Sequence, residues 1–210
     1  MKILLVAATR AEIALLATHF QLPEQDFVRT KEFDLLITGV GMTATAYALG
    51  KYLSTSYKLV LNLGIAGSFD TKMPLSTVVN VTSDEFSELG AENGETFLSI
   101  DQLGFGKAKF NARNNLLNND IAKLPKVHGI TINRVHGDKN SISKVIEQCN
   151  PTVESMEGAA VLYCCEKESL PCLQVRSISN YVEPRNKERW QIGPAIKSLN
   201  EWAIRFLTNT

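Results

Sequence analysis

The sequence has no net charge, because 22 lysine and arginine residues balance 22 aspartate and glutamate residues. Proteins that bind nucleic acid or an anionic membrane surface usually carry a cationic excess that neutralises phosphate groups. We therefore expect neither nucleic acid nor a membrane among the partners of this chain.

Long apolar runs are also missing. No stretch approaches the roughly 18 apolar residues that a membrane span needs. The apolar start of the chain is interrupted by Arg10 and Glu12, so it is shorter than the apolar core of a secretory signal. The four cysteines, at positions 149, 164, 165 and 172, lack the spacing of a disulfide framework and favour reduced thiols. Together these features predict a cytoplasmic protein.

Signatures of metals and cofactors are equally scarce. His19, His128 and His136 show no metal-ligand spacing with one another or with the cysteines. The segment GVGMTA (residues 39–44) matches the loose form of a dinucleotide fingerprint, but residues 57–61 lack the acidic residue expected about 20 positions later. The segment GIAGS (residues 64–68) has no serine at its centre, which disfavours a serine hydrolase. We expect no metal and no other cofactor.

What the sequence does contain is an alternation of short apolar strands and helices. With 210 residues and 44% hydrophobic content, the chain suits one domain over residues 1–210. Strands are predicted at residues 2–8, 33–38, 59–63, 76–82, 127–135 and 172–179, and helices at 12–20, 42–53, 141–147, 156–168 and 194–207. This alternation indicates an α/β fold whose largely parallel sheet is covered by helices on both faces.

Two glycine-rich segments follow predicted strands and are expected to form turns. They are GVG (residues 39–41) and GIAGS, and their glycines let the backbone approach a ligand closely. Ligands of such sheets bind beyond the carboxyl ends of the strands. The polar residues 83–97 are expected to form a long loop, and long loops are often functional.

Four polar residues stand out at the ends of these elements. Glu12 follows a buried strand where a helix N-terminus stabilises a carboxylate, although a surface cap explains it equally well. Glu157 lies in an open, apolar setting at the start of a helix, where an ordinary N-terminal acid is the alternative. Arg176 lies inside an apolar strand and needs an anionic partner, such as Glu12, Glu157 or a ligand. Asn180 ends that strand, where it can also simply start a turn.

With these residues in order, the chain resembles the nucleoside phosphorylase and nucleosidase superfamily. The resemblance rests on MKILLVAATRAE, TGVGMTATA, NLGIAGS, VESMEGAA and VRSISN, which together span nearly the whole chain. Within the superfamily, SISNYVEPRNKERW (residues 177–190) resembles the futalosine hydrolase family. This resemblance implies a three-layer α/β/α fold with a mixed, largely parallel sheet, a homodimer, and hydrolysis of futalosine to hypoxanthine and dehypoxanthine futalosine in menaquinone biosynthesis.

The resemblance also implies roles for individual residues. Glu12 would take a proton from the attacking water, and Glu157 would accept hydrogen bonds from the ribose hydroxyls beside Met156. Arg176 would hold Glu12 or the water in place. The backbone of Ala66 and Gly67 would line the purine site.

Asn180 is the residue that bears on the purine base. Methylthioadenosine and adenosylhomocysteine nucleosidases have aspartate at the corresponding position, and a carboxylic acid can protonate N7 of adenine. An asparagine amide can donate to O6 of a 6-oxopurine and accept from a protonated N7, but it cannot supply the proton. Asn180 therefore indicates a 6-oxopurine nucleoside, with the N7 proton arriving from water.

Three alternatives remain open at this point. Arg10 lies near Glu12, so a purine nucleoside phosphorylase that binds phosphate is the second candidate. Another nucleosidase, acting on a different 6-oxopurine nucleoside or on methylthioadenosine, and a non-catalytic nucleoside-binding module are the others. Glu154 receives no role, because Ser155 changes its spacing from Met156 relative to the adenine-specific relatives.

Overall fold

Strand β1 (Ile3–Ala7) is buried at every position, and its side chains alternate between two hydrophobic clusters. Ile3 and Leu5 pack with residues of helices α1 (Ala14–His19) and α6 (Ile192–Thr208). Leu4 and Val6 pack with residues of α2 (Met42–Tyr52) and α5 (Gly158–Lys167) on the opposite face. The sheet is therefore a middle layer between two layers of helices.

The computed structural model describes residues 2–113 and 118–209. The remaining strands are β2 (Phe27–Arg29), β3 (Phe33–Ile37), β4 (Leu59–Ser68), β5 (Val78–Phe86), β6 (Gly90–Asn93), β7 (Thr96–Ser99), β8 (Lys109–Asn111), β9 (Lys126–Thr131), β10 (Val153–Ser155) and β11 (Cys172–Tyr181). The remaining helices are α3 (Asn119–Ala122) and α4 (Lys139–Cys149), and short 3-10 turns cover Ala11–Ile13 and Lys187–Arg189. None of the helices in these ranges is long and apolar enough to cross a membrane.

The main sheet has the strand order β10-β9-β5-β11-β4-β1-β3-β2, with β8 paired to β5. Strands β3, β1, β4 and β11 are parallel to their neighbours in that group, as are β5, β9 and β10. Antiparallel pairing joins β11 to β5 and β2 to β3. Strand β10 also pairs with β4, so that β4, β10, β9, β5 and β11 form a closed ring of pairings. The predicted α/β fold with a mixed, largely parallel sheet is confirmed.

Two local predictions are wrong. Residues 83–97 do not form one long loop, because β5 continues to Phe86 and a hairpin of β6 and β7 follows. The segment GIAGS is not a turn either, since β4 runs through it to Ser68. The backbone of β4 and of β5 pairs with strands that are distant in the sequence, and such partners are not visible in local composition. Strands β6 and β7, in contrast, pair with each other as a local hairpin. A strand that contains glycines, or polar residues on one face, is then predicted from its composition as a turn or a loop.

A buried carboxylate, Asp84 on β5, ties the sheet to the start of helix α5. Its oxygens accept hydrogen bonds from Thr131 Oγ1 at 2.9 Å and from Gln174 Nε2 at 2.7 Å. The same threonine oxygen accepts the Ala159 N–H at 2.7 Å. Burial raises the pKa of Asp84, while these hydrogen bonds and the charge of Arg176 oppose the rise. The network fixes where α5 begins, and so where the residue before it, Glu157, is placed.

Gly158, the first residue of α5, is required by this network. A Cβ atom at position 158 would overlap both Asp84 Oδ2 and Gln174 Nε2, which are buried and have little freedom to move. We expect Gly158→Ala to lower the free energy of unfolding by about 1–3 kcal/mol, the usual cost of overpacking. The matched control is Gly50→Ala within α2, where nothing lies within 4 Å of the added carbon.

That control should instead be more stable by about 0.5–1 kcal/mol, because alanine favours a helix interior. Urea-induced unfolding of both variants measures the two effects. Equal stability of Gly158→Ala and wild type would show that the Asp84 network tolerates displacement.

Candidate active site

A cavity of about 310 Å³ opens at the edge of the sheet where β1, β4, β10 and β11 end. It brings together six of the seven residues singled out in the sequence. These are Glu12, Ala66, Gly67, Met156, Glu157 and Asn180. The rest of its lining is largely apolar and comes from Ala8, Ala11, Val40, Ile65, Val135, Trp190, Ile192 and Ile196, with Thr9, His136, Glu154, Ser155 and Ser179. Arg176 lies behind this wall and is 1% exposed.

Glu12 is held in the cavity by three hydrogen bonds. Its Oε2 accepts from the Thr9 N–H at 3.0 Å and from the Thr9 hydroxyl at 3.1 Å. Its Oε1 accepts from the backbone N–H of Ile65 at 3.2 Å. The turn that carries Glu12 is anchored by Asn200, whose Nδ2 donates to the Glu12 carbonyl at 2.8 Å. The side chain of Glu12 is thus oriented by neutral donors at the wall of the cavity.

The side chains of Arg176 and Glu12 both lie beside Gly64 on β4, the strand that pairs with β11. Gly64 pairs with Arg176, and a Cβ atom at position 64 would lie 3.0 Å from both Arg176 Nη1 and Glu12 Oε1. The Nη1 group donates to Asn62 Oδ1 at 3.3 Å and to the Val175 carbonyl at 3.4 Å, and not to Glu12. The guanidinium therefore lies close to Glu12 without a hydrogen bond to it.

Glu157 contacts the first glycine turn. Its Oε1 accepts the Gly41 N–H at 2.8 Å, and Gly41 has a φ of 94°, a conformation that favours glycine. Burial raises the pKa of Glu157, and the nearby charge of Arg176 opposes that rise. Met156, the preceding residue, lines the same part of the cavity. This glycine turn therefore orients a carboxylate of the chain itself.

Asn180 lies across from Gly67 on the paired strands β11 and β4. Its Nδ2 donates to the Tyr181 carbonyl at 3.1 Å, and its Oδ1 accepts from the Ser179 hydroxyl at 2.8 Å. A carbonyl can only accept, so these contacts determine which end of the amide is nitrogen. One N–H and one oxygen lone pair of Asn180 remain for a ligand.

Glu154 and His136 form a pair that the sequence alone did not reveal. Glu154 is 4% exposed, and its Oε2 lies 2.6 Å from His136 Nδ1, while its Oε1 accepts the His136 N–H at 3.1 Å. Both residues line the cavity. A signal was present, because His136 belongs to a polar segment that follows a strand, where ligands of parallel sheets bind. Metal-ligand spacing, however, does not reveal a histidine that pairs with a carboxylate.

Arg10 is not part of the cavity lining. Its Nη2 donates to the carbonyl of Leu22 at 2.6 Å, which turns the guanidinium toward the loop after α1. Among the lining residues that the structure describes, the charged side chains are the carboxylates of Glu12, Glu154 and Glu157, beside the imidazole of His136. The cavity is therefore rich in negative charge.

Comparison with known proteins identifies the family of this fold and site. The family model of the phosphorylase superfamily matches residues 2–208. The chain belongs to this superfamily. Futalosine hydrolase of Streptomyces coelicolor is 28% identical over 179 residues, which cover 80% of this chain and 76% of that protein. Futalosine hydrolase of Thermus thermophilus is 26% identical over 182 residues, which cover 83% of this chain and 81% of that protein.

Solved structures of superfamily members share the fold. A Helicobacter pylori 5′-methylthioadenosine/S-adenosylhomocysteine nucleosidase in complex with butyl-thio-DADMe-Immucillin-A has a TM-score of 0.81 and 14% identity, covering 100% of this chain and 99% of that one. Futalosine hydrolase of the same organism has a TM-score of 0.78 and 14% identity, covering 100% and 98%. At these identities the comparison shows a shared fold and no more.

The raised pKa of Glu157 predicts a stability cost at this site. Folding favours the protonated carboxyl, so the contribution of Glu157 to the free energy of unfolding falls as the pH rises from the ordinary glutamate range, about 4.3, through the raised value. We expect Glu157→Gln, which keeps an acceptor for the Gly41 N–H, to unfold at a higher urea concentration than wild type at neutral pH.

The difference should disappear near pH 4, at or below the ordinary pKa of glutamate, about 4.3, where most Glu157 is protonated in both folded and unfolded chains. Glu95→Gln, at an exposed position, is the control and should show no such pH-dependent gain. A wild type that is more stable than Glu157→Gln at neutral pH would contradict the burial argument.

Proposed function

We propose that this member of the phosphorylase superfamily hydrolyses the N-glycosidic bond of futalosine. The products are hypoxanthine and dehypoxanthine futalosine, and the step belongs to menaquinone biosynthesis. Two relatives that align over most of the chain are futalosine hydrolases. The observation that carries the choice of hydrolysis is the charge of the cavity lining, which contains three carboxylates and, among the residues described, neither lysine nor arginine.

The charge of the lining disfavours phosphorolysis, the second candidate reaction. A phosphate nucleophile beside Glu12 and Glu157 would be repelled, because like charges within a few ångströms destabilise one another. Arg10, the residue that suggested phosphate binding, donates to Leu22 outside the cavity. Neutral water meets no such barrier and can bind to a carboxylate directly.

Glu12 is proposed to act as the general base. Its carboxylate is oriented by Thr9 and Ile65 and faces the cavity, so it can accept a proton from the attacking water. As the bond from C1′ to N9 breaks, positive charge develops on the ribose ring. Glu12 and Glu157 stabilise that charge electrostatically, because their orientation is fixed before the reaction. Glu157, with Met156 beside it, would also accept hydrogen bonds from the ribose hydroxyls.

Arg176 is proposed to influence the pKa of the nearby carboxyl groups. Its charge opposes the rise in the pKa of Glu157 and of Asp84, which keeps more of the Glu157 carboxylate ionised. A buried guanidinium next to Gly64 also limits the electrostatic cost of placing Glu12 there. Arg176 is therefore a positioning residue and not a group that touches substrate.

Asn180 is proposed to select a 6-oxopurine. Its free N–H can donate to O6 of hypoxanthine, and the remaining lone pair on its oxygen can accept a hydrogen from N7. The backbone of Ala66 and Gly67 runs beside it along β4 and would line the flat face of the base. Adenine, which has an amino group at C6, would place a donor against the donor of Asn180.

The benzoate-type end of futalosine calls for an aromatic wall and a cation. Trp190 lines the cavity, and the guanidinium of Arg185 lies 5.2 Å from the centre of its ring. This pair is proposed as the surface that binds the aryl carboxylate.

A homodimer in the cytoplasm completes the proposal. Val40 lines the cavity yet is 56% exposed, and Tyr47 on the following helix is 75% exposed. Apolar side chains at the cavity mouth are typical of a surface that a second copy covers. Sedimentation equilibrium at micromolar concentration measures the mass, and a monomer would contradict this part.

We expect hypoxanthine to be released from futalosine in phosphate-free buffer, at a rate that added phosphate does not change. Glu12→Gln should lower kcat by about 10²- to 10⁴-fold with little change in KM, since it removes the base but keeps an acceptor of similar shape. Glu24→Gln, at an exposed position, is the matched control and should retain wild-type activity. Hypoxanthine release that requires phosphate would establish a phosphorylase instead.

Asn180→Asp should change the base preference. The carboxylate loses the N–H that faces O6, so kcat/KM for the 6-oxopurine nucleoside should fall by about 10- to 100-fold, the worth of one hydrogen bond to a ligand group. Activity on an adenine nucleoside should rise relative to hypoxanthine, because an acid at this position can protonate N7. Assays of inosine and adenosine side by side measure the ratio, and an unchanged ratio would remove Asn180 from the base site.

A further inference from the structure

The leaving purine needs a proton that Asn180 cannot supply. Cleavage of the bond between C1′ and N9 leaves an electron pair on the base, and protonation at N7 makes the base a far better leaving group. An amide holds no proton that titrates near neutral pH. The sequence suggested water as the source, but the structure places a stronger candidate beside Asn180.

We propose that His136, oriented by Glu154, donates this proton and acts as the general acid of the reaction. The proposal rests on the proposed function, since it concerns the departure of hypoxanthine from a nucleoside bound in the same cavity. It adds a catalytic residue and its positioning partner to the roles already assigned to Glu12, Glu157 and Asn180.

The orientation of His136 follows from its contacts with Glu154. A carboxylate can only accept, so the 2.6 Å contact requires that Nδ1 carries the hydrogen. The second carboxylate oxygen accepts the backbone N–H of His136 at 3.1 Å, which fixes the pair at two points. Phe69 packs against the imidazole with 6.3 Å between ring centres. In the part of the chain that the structure describes, no protein group hydrogen-bonds to Nε2.

The pair lies at the end of the cavity where Asn180 would hold the base. A Cβ atom at Gly67 would be 3.1 Å from Asn180 Nδ2 and 3.5 Å from Glu154 Cγ, so the amide and the carboxylate flank the same gap on β4. Strand β10 brings Glu154 there by pairing directly with Gly67. The imidazole held by that carboxylate lines the cavity, with its side chain 13% exposed.

Imidazole is suited to this task because it exchanges a proton near neutral pH. His136 enters the step as an imidazolium, with a hydrogen on each ring nitrogen. As the bond between C1′ and N9 breaks, its electron pair passes to the purine, and Nε2 gives its proton to N7. Water adds its hydroxyl to C1′ and gives its other proton to Glu12. The step ends with free hypoxanthine, a neutral imidazole and a protonated Glu12. Solvent then carries the proton from Glu12 back to His136, so no co-reactant is consumed.

The chain contains a matched control for this pair. His128 and Glu85 are also a histidine and a glutamate in contact, with 2.9 Å between Nε2 and Oε1, and neither lines the cavity. If a histidine–glutamate pair contributed only to stability, His128→Gln and His136→Gln should behave alike in activity assays. His128→Gln is therefore expected to retain wild-type kcat on every substrate.

The test compares substrates that differ in their need for a proton. Inosine requires protonation of its leaving base, whereas 7-methylinosine already carries a positive charge at N7, and 4-nitrophenyl β-ribofuranoside releases a stable anion. His136→Gln should lower kcat on inosine and futalosine by about 10²- to 10⁴-fold. On the two activated substrates its kcat should stay within about one order of magnitude of wild type. Glu154→Gln should show the same selective loss, to a smaller extent.

Two outcomes would overturn the assignment of His136. Equal losses on inosine and on the activated substrates would show a role in structure or binding, and unchanged rates on all of them would show that water supplies the proton. Thermal unfolding of His136→Gln and His128→Gln separates loss of fold from loss of acid. The proposed function fails by a different result, namely a wild-type protein that releases no hypoxanthine from futalosine without phosphate.

Discussion

Two glycines on the central strand β4, Gly64 and Gly67, leave the space that the side chains of the site occupy. At Gly64 the vacant volume is occupied by Glu12 and Arg176, and at Gly67 by Asn180 and Glu154. Pairing with β11 brings Arg176 and Asn180 opposite the glycines, and pairing with β10 brings Glu154 there. Glu12 comes from the 3-10 turn after β1. A methyl group at either position would compete with them for the same volume. The cost of glycine within a strand, about 0.5–1 kcal/mol, is thus tied to the assembly of the site.

Charge is distributed unevenly around that space. The cavity is lined by three carboxylates, while Arg176 lies behind the wall and opposes the rise in pKa that burial causes at Glu157 and Asp84. A site with negative charge and few matching cations is unfavourable for the empty protein. It is favourable for a ribose ring that becomes positively charged in the transition state. The superfamily fold thus supports hydrolysis through the composition of its lining, in keeping with the general rule that function depends on the site and not on the fold.

Much of the architecture was predictable from local sequence, and the wrong predictions concern segments that pair as strands. The predicted bounds of β1, β11 and the amphipathic helix α6, and the predicted start of β4, are close to the observed ones, because hydrophobic periodicity is a local property. The segment GIAGS and residues 83–86 were mispredicted, because strand pairing with residues far along the chain determines their conformation, whereas residues 90–99 form a local hairpin. Residue propensities carry no information about distant strand partners, so a segment rich in glycine or acidic residues is predicted as a loop.

The sequence by itself determined the fold class, the superfamily and most of the polar residues that converge at the cavity, since the motifs with Glu12, Glu157 and Asn180 end or follow strands of one largely parallel sheet. Only the tertiary structure decided the rest. It placed Arg176 behind the wall, turned Arg10 toward Leu22 and joined His136 to Glu154 through contacts between residues 18 positions apart. These outcomes depend on side-chain direction and on sheet closure through β10, which arise when the whole chain packs and which no local pattern encodes.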